Sequence, residues 1–261
     1  MQTSYDQNMA IGIAGQLADL SDHDIVTGLC EVSAGAEFGV GVRKGSAEQG
    51  FVLPSATGQK LLGVTVHTHR ADNLALAGAA GIPDGETNPL LRKGRVIVKV
   101  DGAVVADGPV FCRHTANSST KTRMGAFRGD TDGVAQVTTV TPTSANSTLF
   151  TLTVLVRGKL FSFQVTSDSA SSATEICDAF RTLMAADAAF TALVTASGTA
   201  TLILTAVNKG DVLQVADGGS PGVLAVAETT AASTRADEVT NARFVTAASA
   251  DGLAVLEINL P

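Results

Sequence analysis

The sequence predicts a mainly β protein, with a β-barrel or sandwich-like base domain into which a small β-β-α-β-β (α+β) domain is inserted. Three observations carry this. Short Val-rich stretches divided by Asp-Gly and other Gly turns run through the first half of the chain and return in its final segment, Asn241–Pro261. A helix signature sits between them, around Ser172–Asp187. The composition changes near Gly129–Thr138 and again near Asp217–Asp237, where Thr, Ser, Ala and Gly replace a charge-punctuated texture. The chain therefore divides into an N-terminal arm (residues 1–27), a discontinuous β base (28–135 and 223–261) and an insert (136–222).

Residues 1–27 have no clean period, because Gly12 and Gly15 interrupt Met9, Ile11 and Ile13. "FGVGVRK" (Phe38–Lys44) and "KLLGVTVHT" (Lys60–Thr68) read as strands. In Arg95–Arg113, Val96, Val98 and Val100 alternate with Arg95, Ile97 and Lys99, and Asp101-Gly102 and Asp107-Gly108 supply turns. "KTRMGAFRG" (Lys121–Gly129) is a further strand. At the end, Asp251-Gly252 turns the chain into a last strand. Its apolar face is Ala254, Leu256, Ile258 and Leu260, and Leu253, Val255, Glu257 and Asn259 lie opposite.

The insert opens with a hairpin, Thr148–Ser167, that turns at Arg157-Gly158. Phe150, Leu152 and Val154 share a face on its first strand, as do Phe161, Phe163 and Val165 on its second. Ser172 with Glu175 three residues later is a capping box. Ile176, Phe180, Leu183 and Met184 then form one helical stripe. "TATLILTAV" (Thr199–Val207) and "DVLQVA" complete the unit, which has the strands and covering helix that independent stability requires. Surface turns tolerate such insertions. Arg128-Gly129-Asp130, a tripeptide known as an adhesion signal, falls at the first seam beside Asp132-Gly133 and reads as turn chemistry.

Composition narrows the function. The chain has 261 residues, 16% charged and 4% aromatic, with no Trp and Tyr5 as its one tyrosine, which disfavours ring-lined pockets and sugar platforms. A net charge of -7 with no basic cluster beyond Arg92, Lys93, Arg95 and Lys99 argues against a nucleic-acid partner. Cys30, Cys112 and Cys177 lie far apart without a Cys-x-x-Cys pair, which suits a reducing compartment. The start lacks a secretory pattern, and no apolar run approaches the ~20 residues that span a bilayer, so synthesis in the cytoplasm and no membrane partner are expected.

No catalytic, cofactor or metal site emerges. Gly218-Gly219-Ser220-Pro221-Gly222 fits G-x-S-x-G, but Pro221 has no N–H to offer an oxyanion. His67 and His69 share a strand face, but His23, His114, Asp72 or a Cys would have to arrive from elsewhere as third ligand, and the pair reads as exposed strand histidines. Gly39-x-Gly41 with Gly45 has the wrong spacing for a phosphate loop and reads as close strand approach.

The chain resembles tailed-phage head-decoration or structural cement proteins. The matching stretches are "YDQNMAIGIAGQLAD", "EVSAGAEFGVGVRKG", "FVLPSATGQKLLGVTVHT", "LLRKGRVIVKVDGAVVADGPVFCR" and "ARFVTAASADGLAVLEINL". The middle unit is similar to a small module that recurs as an insertion in phage virion proteins. The resemblance implies a non-enzymatic virion protein, made in the host cytoplasm, that binds the outside of the major capsid protein shell and stabilises the head. It further implies homotrimers; the insert is where the chain departs from the simplest decoration proteins, and an outward projection of it is this reading's own expectation. Within the apolar-sprinkled arm, Tyr5, Met9 and Ile11 are the contact candidates. The competing readings are a tail or connector component and a host-surface adhesion module carried by the insert; a Ser220 hydrolase stands well behind both.

Overall fold

A computed structural model describes residues 12–19, 22–68, 81–117, 121–219 and 223–261. The chain folds as two compact units: one is built from the chain up to Asp132 and from Arg235 onward, the other from Gly133–Thr234. The base unit contributes β1 (Asp24–Cys30), β2 (Gly41–Lys44), β3 (Gly50–Val52), β4 (Gly63–Thr65), β5 (Thr87–Lys99), β6 (Phe111–Arg113) and β7 (Phe127–Arg128). The second unit follows with β8 (Val137–Pro142), β9 (Leu149–Val156), β10 (Lys159–Thr166), helices α1 (Ala173–Ala186) and α2 (Ala188–Thr191), β11 (Val194–Ser197), β12 (Leu202–Ala206), β13 (Gln214–Asp217) and β14 (Leu224–Thr230). The base then resumes with β15 (Ala236–Glu238), β16 (Ala242–Phe244) and β17 (Leu253–Asn259).

In the base, seven strands run in the order β1-β3-β2-β4-β5-β17-β16, and an added β1–β5 pairing closes the first five into a ring. The 13-residue β5 is the hub. Its first half pairs with β1 on one edge (Ile25 opposite Leu91) and with β4 on the other (Val64 opposite Leu91). Its second half pairs with β17, from Asn259 opposite Lys93 to Leu253 opposite Lys99. Arg92 is the extra residue of a bulge, since Asp24 faces Lys93 while Ile25 faces Leu91, and Gly94 adopts φ 127° beside it. A bulge twists and bends its strand, which here coincides with the change of partners.

Part of the segment read as an arm is built into this sheet. Gly15 N donates to Ile97 O (2.7 Å), Ile97 N to Gln16 O (2.8 Å) and Ala18 N to Arg95 O (3.0 Å), so residues 15–18 complete the second edge of β5. Backbone pairing needs no side-chain period, which is why the pattern gave no warning. It does need glycine: a Cβ on Gly39 (φ 71°) would lie 2.8 Å from Gly15 N, so the "FGVG" glycine serves close approach of two backbones. The same segment covers Ile97, which is buried although its sequence neighbours on that face, Arg95 and Lys99, are half-exposed.

Two apolar clusters fill the base. One joins Cys30, Phe38, Val40, Val42, Phe51, Ile82 and Leu90. The other joins Leu91, Val96 and Val98 of β5 to Phe127, Phe244 and the predicted apolar face of β17, Ala254, Leu256 and Ile258. Burial of such side chains contributes ~1.5–3 kcal/mol each.

The second unit packs a β10-β9-β13 sheet and a β11-β12-β8-β14 sheet around one core. The hairpin turns where expected: Val156 faces Lys159, and Arg157 (φ 49°) and Gly158 (φ 73°) both take the positive φ of a I′-like turn. Phe150, Leu152, Val154 and Val156 are buried beneath it. The capping box forms as read, with Ser172 N donating to Glu175 Oε2 (2.6 Å) and Glu175 N to Ser172 Oγ (3.3 Å). Its buried stripe is Ile176, Cys177, Phe180 and Met184; Leu183 is 42% exposed. Cys177 shifts the buried face toward the Phe180 side and leaves Leu183 on its rim. Phe190 of α2 meets Phe161 and Phe163 edge-on, at 5.3 and 4.9 Å. The unit also holds three strands the sequence reading passed over, β8, β11 and β14. β14 lies beyond the 136–222 boundary yet pairs with β8 along most of its length.

The two chain crossings are anchored in the base by β6, which pairs with β7 before the second unit and with β15 after it. Arg113 on β6 is fully buried, and its guanidinium donates to Asp101 Oδ2 (2.6 Å), Asp132 Oδ2 (2.7 Å) and Thr115 O (3.1 Å). Arg128 lies 3.1 Å from Asp132 Oδ2 and donates to Asp130 Oδ1 (2.6 Å). The Arg-Gly-Asp arginine is thus turned inward onto its own aspartate, at 5% exposure. Burial alone would raise the Asp132 carboxyl, but hydrogen bonds from Arg113 and Asn117 and the Arg128 charge hold it below its ordinary 3.8. A depressed carboxylate contributes stability above its unfolded value that is lost as pH falls through the folded one. Across the gap, Arg235 N and Ala236 N both donate to Thr131 O (3.0 Å).

Two outcomes are expected. An excised Gly133–Thr234 fragment should unfold cooperatively by circular dichroism, and Phe180→Ala should destabilise it by about 3–5 kcal/mol. In the full chain, Arg113→Met should cost about 3–5 kcal/mol at pH 7, because it removes the 2.6 Å guanidinium partner of buried Asp101 and one of the bonds that hold Asp132. Part of that penalty should fade as pH falls below about 4, because Asp132, held below 3.8 in the fold, then takes up a proton.

Candidate functional site

Across β5 and β17 the register sets Arg95 opposite Glu257, and Glu257 opposite Arg243 of β16. The result is a ladder of alternating charge. Arg95 Nε meets Glu257 Oε2 at 2.7 Å and its Nη1 meets Asp19 Oδ2 at 3.1 Å. Arg243 lies 3.3 Å from Glu257 Oε1 and 2.9 Å from Asp107 Oδ1. Lys93 Nζ reaches Asp22 Oδ2 at 2.7 Å, and Arg92 lies 4.0 Å from Asp24. Hydrogen bonds from Arg95 and Arg243 hold the Glu257 carboxyl below its ordinary range, and the Asp22 hydrogen bond raises Lys93. Arg92, Lys93 and Arg95 of the basic cluster noted in the sequence are thus paired with acids at 19–24 and on β17. Asp22, Lys93, Arg95, Arg243 and Glu257 line an open groove of about 540 Å³. Such a surface offers oriented, exposed charges, which favour orientation and specificity over raw affinity.

A second concavity, about 480 Å³, lies beside β6 and β15. Its floor is apolar (Pro54, Leu61, Val239 and Leu260) and its polar wall is His114 and Asp237. His114 is 4% exposed; its Nδ1 lies 2.8 Å from Thr115 Oγ1, and its Nε2 lies 3.4 Å from Asp237 Oδ1. Asp237 also accepts from Thr57 Oγ1 (2.8 Å) and Gly58 N (2.5 Å), tying the 54–61 turn to β15. Cys112 lines the same wall, with a thiol pushed up by burial and by the charges of Asp101 and Asp237, so it is held protonated and unreactive. Among the described residues no group of three or more His, Cys, Asp and Glu side chains is placed to hold a metal ion, and no helix is long and apolar enough to cross a membrane.

The contact candidates Tyr5, Met9 and Ile11 lie outside the described residues, as do His69 and Ser220. His67 is half-buried, not an exposed strand residue: it follows β4 and rests on the Phe38 ring at 4.7 Å. Neither the charge ladder nor the His114 concavity was found from sequence. Arg95 and Glu257 are 162 residues apart, and their only local signal was that each falls on the polar side of an alternating strand.

A family model described as "Structural cement protein (E217 gp24/Pam3 gp6)" matches residues 1–155, more than half of the chain. The match takes in β1–β7 and ends within β9 of the second unit. No curated protein matches. A solved chain from Mycobacterium phage Patience aligns over 90% of this chain and 90% of its own at 14% identity, with a TM-score of 0.24, too low to carry any argument about fold. On the family match, with a mainly β structure in accord, this chain belongs to the structural cement protein family of phages.

Proposed function

We propose that the protein binds the outer surface of the major capsid protein shell of its phage and stabilises the head, as a homotrimer on the capsid exterior. The observation that carries this reading is the family match over residues 1–155, which includes every strand of the base's first stretch. Cement works by joining neighbours at many symmetric sites, so its strength comes from multivalency and needs no deep pocket. The base offers surfaces suited to that: an oriented charge ladder for registry, and a shallow apolar concavity able to take a protruding side chain of the shell. In this reading the arm residues Tyr5, Met9 and Ile11 add apolar contacts to a neighbouring subunit. The protein's role is structural and not catalytic.

The second unit is an addition to this function. Most of it lies beyond the family match, and its two crossings are fastened to the base at Thr131 and Arg235. A chain in which a two-residue turn replaces Gly133–Thr234 should therefore keep its base fold.

Co-sedimentation with undecorated heads tests the proposal. The full chain and the shortened chain should both pellet with heads and saturate at a fixed ratio to the major capsid protein. Failure of the full chain to bind would overturn the function, and failure of a folded shortened chain would assign binding to the second unit. Replacing Tyr5, Met9 and Ile11 together by Ser should weaken head binding at least tenfold. Light scattering of the purified chain should give three times 26.5 kDa, whereas a large ring would indicate a tail or connector part.

A further inference from the structure

The second unit leaves four strand edges, and three are blunted. β11 and β13 are only 4 residues long, and β10 begins at Lys159 with α1 packed beside it. Short strands, lysines and covering helices are the devices by which proteins keep edges from pairing. β14 has neither a lysine nor a covering helix, although β13 lies against its start, where Asp217 accepts from Leu224 N. It runs 7 residues, LAVAETT, without Pro or Lys and with Glu228 as its one charge; from Ala225 onward all but half-buried Val226 are exposed.

Its hydrogen-bonding pattern shows which groups point outward. Thr143 N donates to Val223 O (2.8 Å), so by antiparallel alternation Val223, Ala225 and Ala227 turn their backbone groups toward β8, while Leu224, Val226 and Glu228 turn theirs away. The outward N–H of Leu224 is taken by Asp217 Oδ2 (3.1 Å). No described residue bonds the outward N–H or C=O of Val226 or Glu228.

We propose that β14 is a self-pairing edge: a second copy of this chain adds its own β14 antiparallel across a two-fold axis at Ala227, joining two four-stranded sheets into one of eight strands. The register argues for a second copy as the occupant. Centred on Ala227, Val226 of each copy faces Glu228 of the other, so both outward pairs exchange their backbone bonds and the two Glu228 carboxylates are never directly opposed. The residue meeting itself at the axis is Ala, in a non-hydrogen-bonded pair where side chains come closest. Asp217 ends the pairing at Leu224. A seven-residue edge buries far less than the roughly 1,000 Å² of a stable interface, so the contact is weak in dilute solution and gains strength where copies are held close together. The inference concerns the second unit alone and stands whether or not the base binds a shell.

Disulfide trapping on the full-length chain tests it. Native Cys30, Cys112 and Cys177 are all buried, so an introduced surface thiol reports alone. Under mild oxidation at high concentration, Ala227→Cys should give covalent dimers at least tenfold faster than Thr141→Cys. Thr141 is exposed on the same sheet face, but its two copies would lie more than three strand spacings apart, over about 14 Å, beyond disulfide reach. Adding Glu228→Pro, which removes an outward donor, should return the Ala227→Cys rate to the Thr141→Cys level. Equal rates for the two single variants would overturn the proposal. So would trapping that survives Glu228→Pro, since it would then report random collision.

Discussion

The base depends on β5 having backbone partners on both of its edges. A strand of this length in the middle of a sheet cannot leave N–H and C=O groups buried and unpaired. The protein meets that demand with four separate pieces: β1 and β4 on the first half, β17 and residues 15–18 on the second. The bulge at Arg92 is where the partners change, and it coincides with the division of the apolar interior into two clusters. Residues 15–18 and β17 are thereby locked to one central strand, so the base is a single structure although a second unit interrupts it.

The same logic explains how the base tolerates that interruption. β7 and β15, the strands on either side of the second unit, share β6 as a neighbour, and the buried arginines on β6 and β7 tie Asp101 and Asp132 together immediately before the first crossing. Paired and hydrogen-bonded, these charges are tolerated inside the base; singly they would be costly. The second unit brings its own core and capped helix. For a structural cement protein this leaves most of the family match on the base, while the second unit holds its own core.

What could be read from the sequence was local. The alternation of Ala254, Leu256 and Ile258, the Arg157-Gly158 hairpin and the Ser172–Glu175 box each involve residues within a few positions, and the structure contains all three. What escaped was non-local or made by backbone. Residues 15–18 join β5 through peptide groups that leave no side-chain signature. β14 looks like linker because an edge strand exposed on nearly every residue shows no apolar period. Leu183 was assigned to the buried stripe because spacing gives a face and not its centre. Of the candidate site, the polar side of β17 was legible, whereas the pairing of Arg95, Glu257 and Arg243 depended on sheet order that no single segment encodes.

Calorimetry on heads of the same phage, stripped and then re-decorated with the purified protein, measures directly whether this chain strengthens a phage head. The expected result is a capsid transition that moves to higher temperature in proportion to occupancy and stops moving at saturation. A head that binds the protein fully yet melts at the same temperature as the stripped one would contradict it.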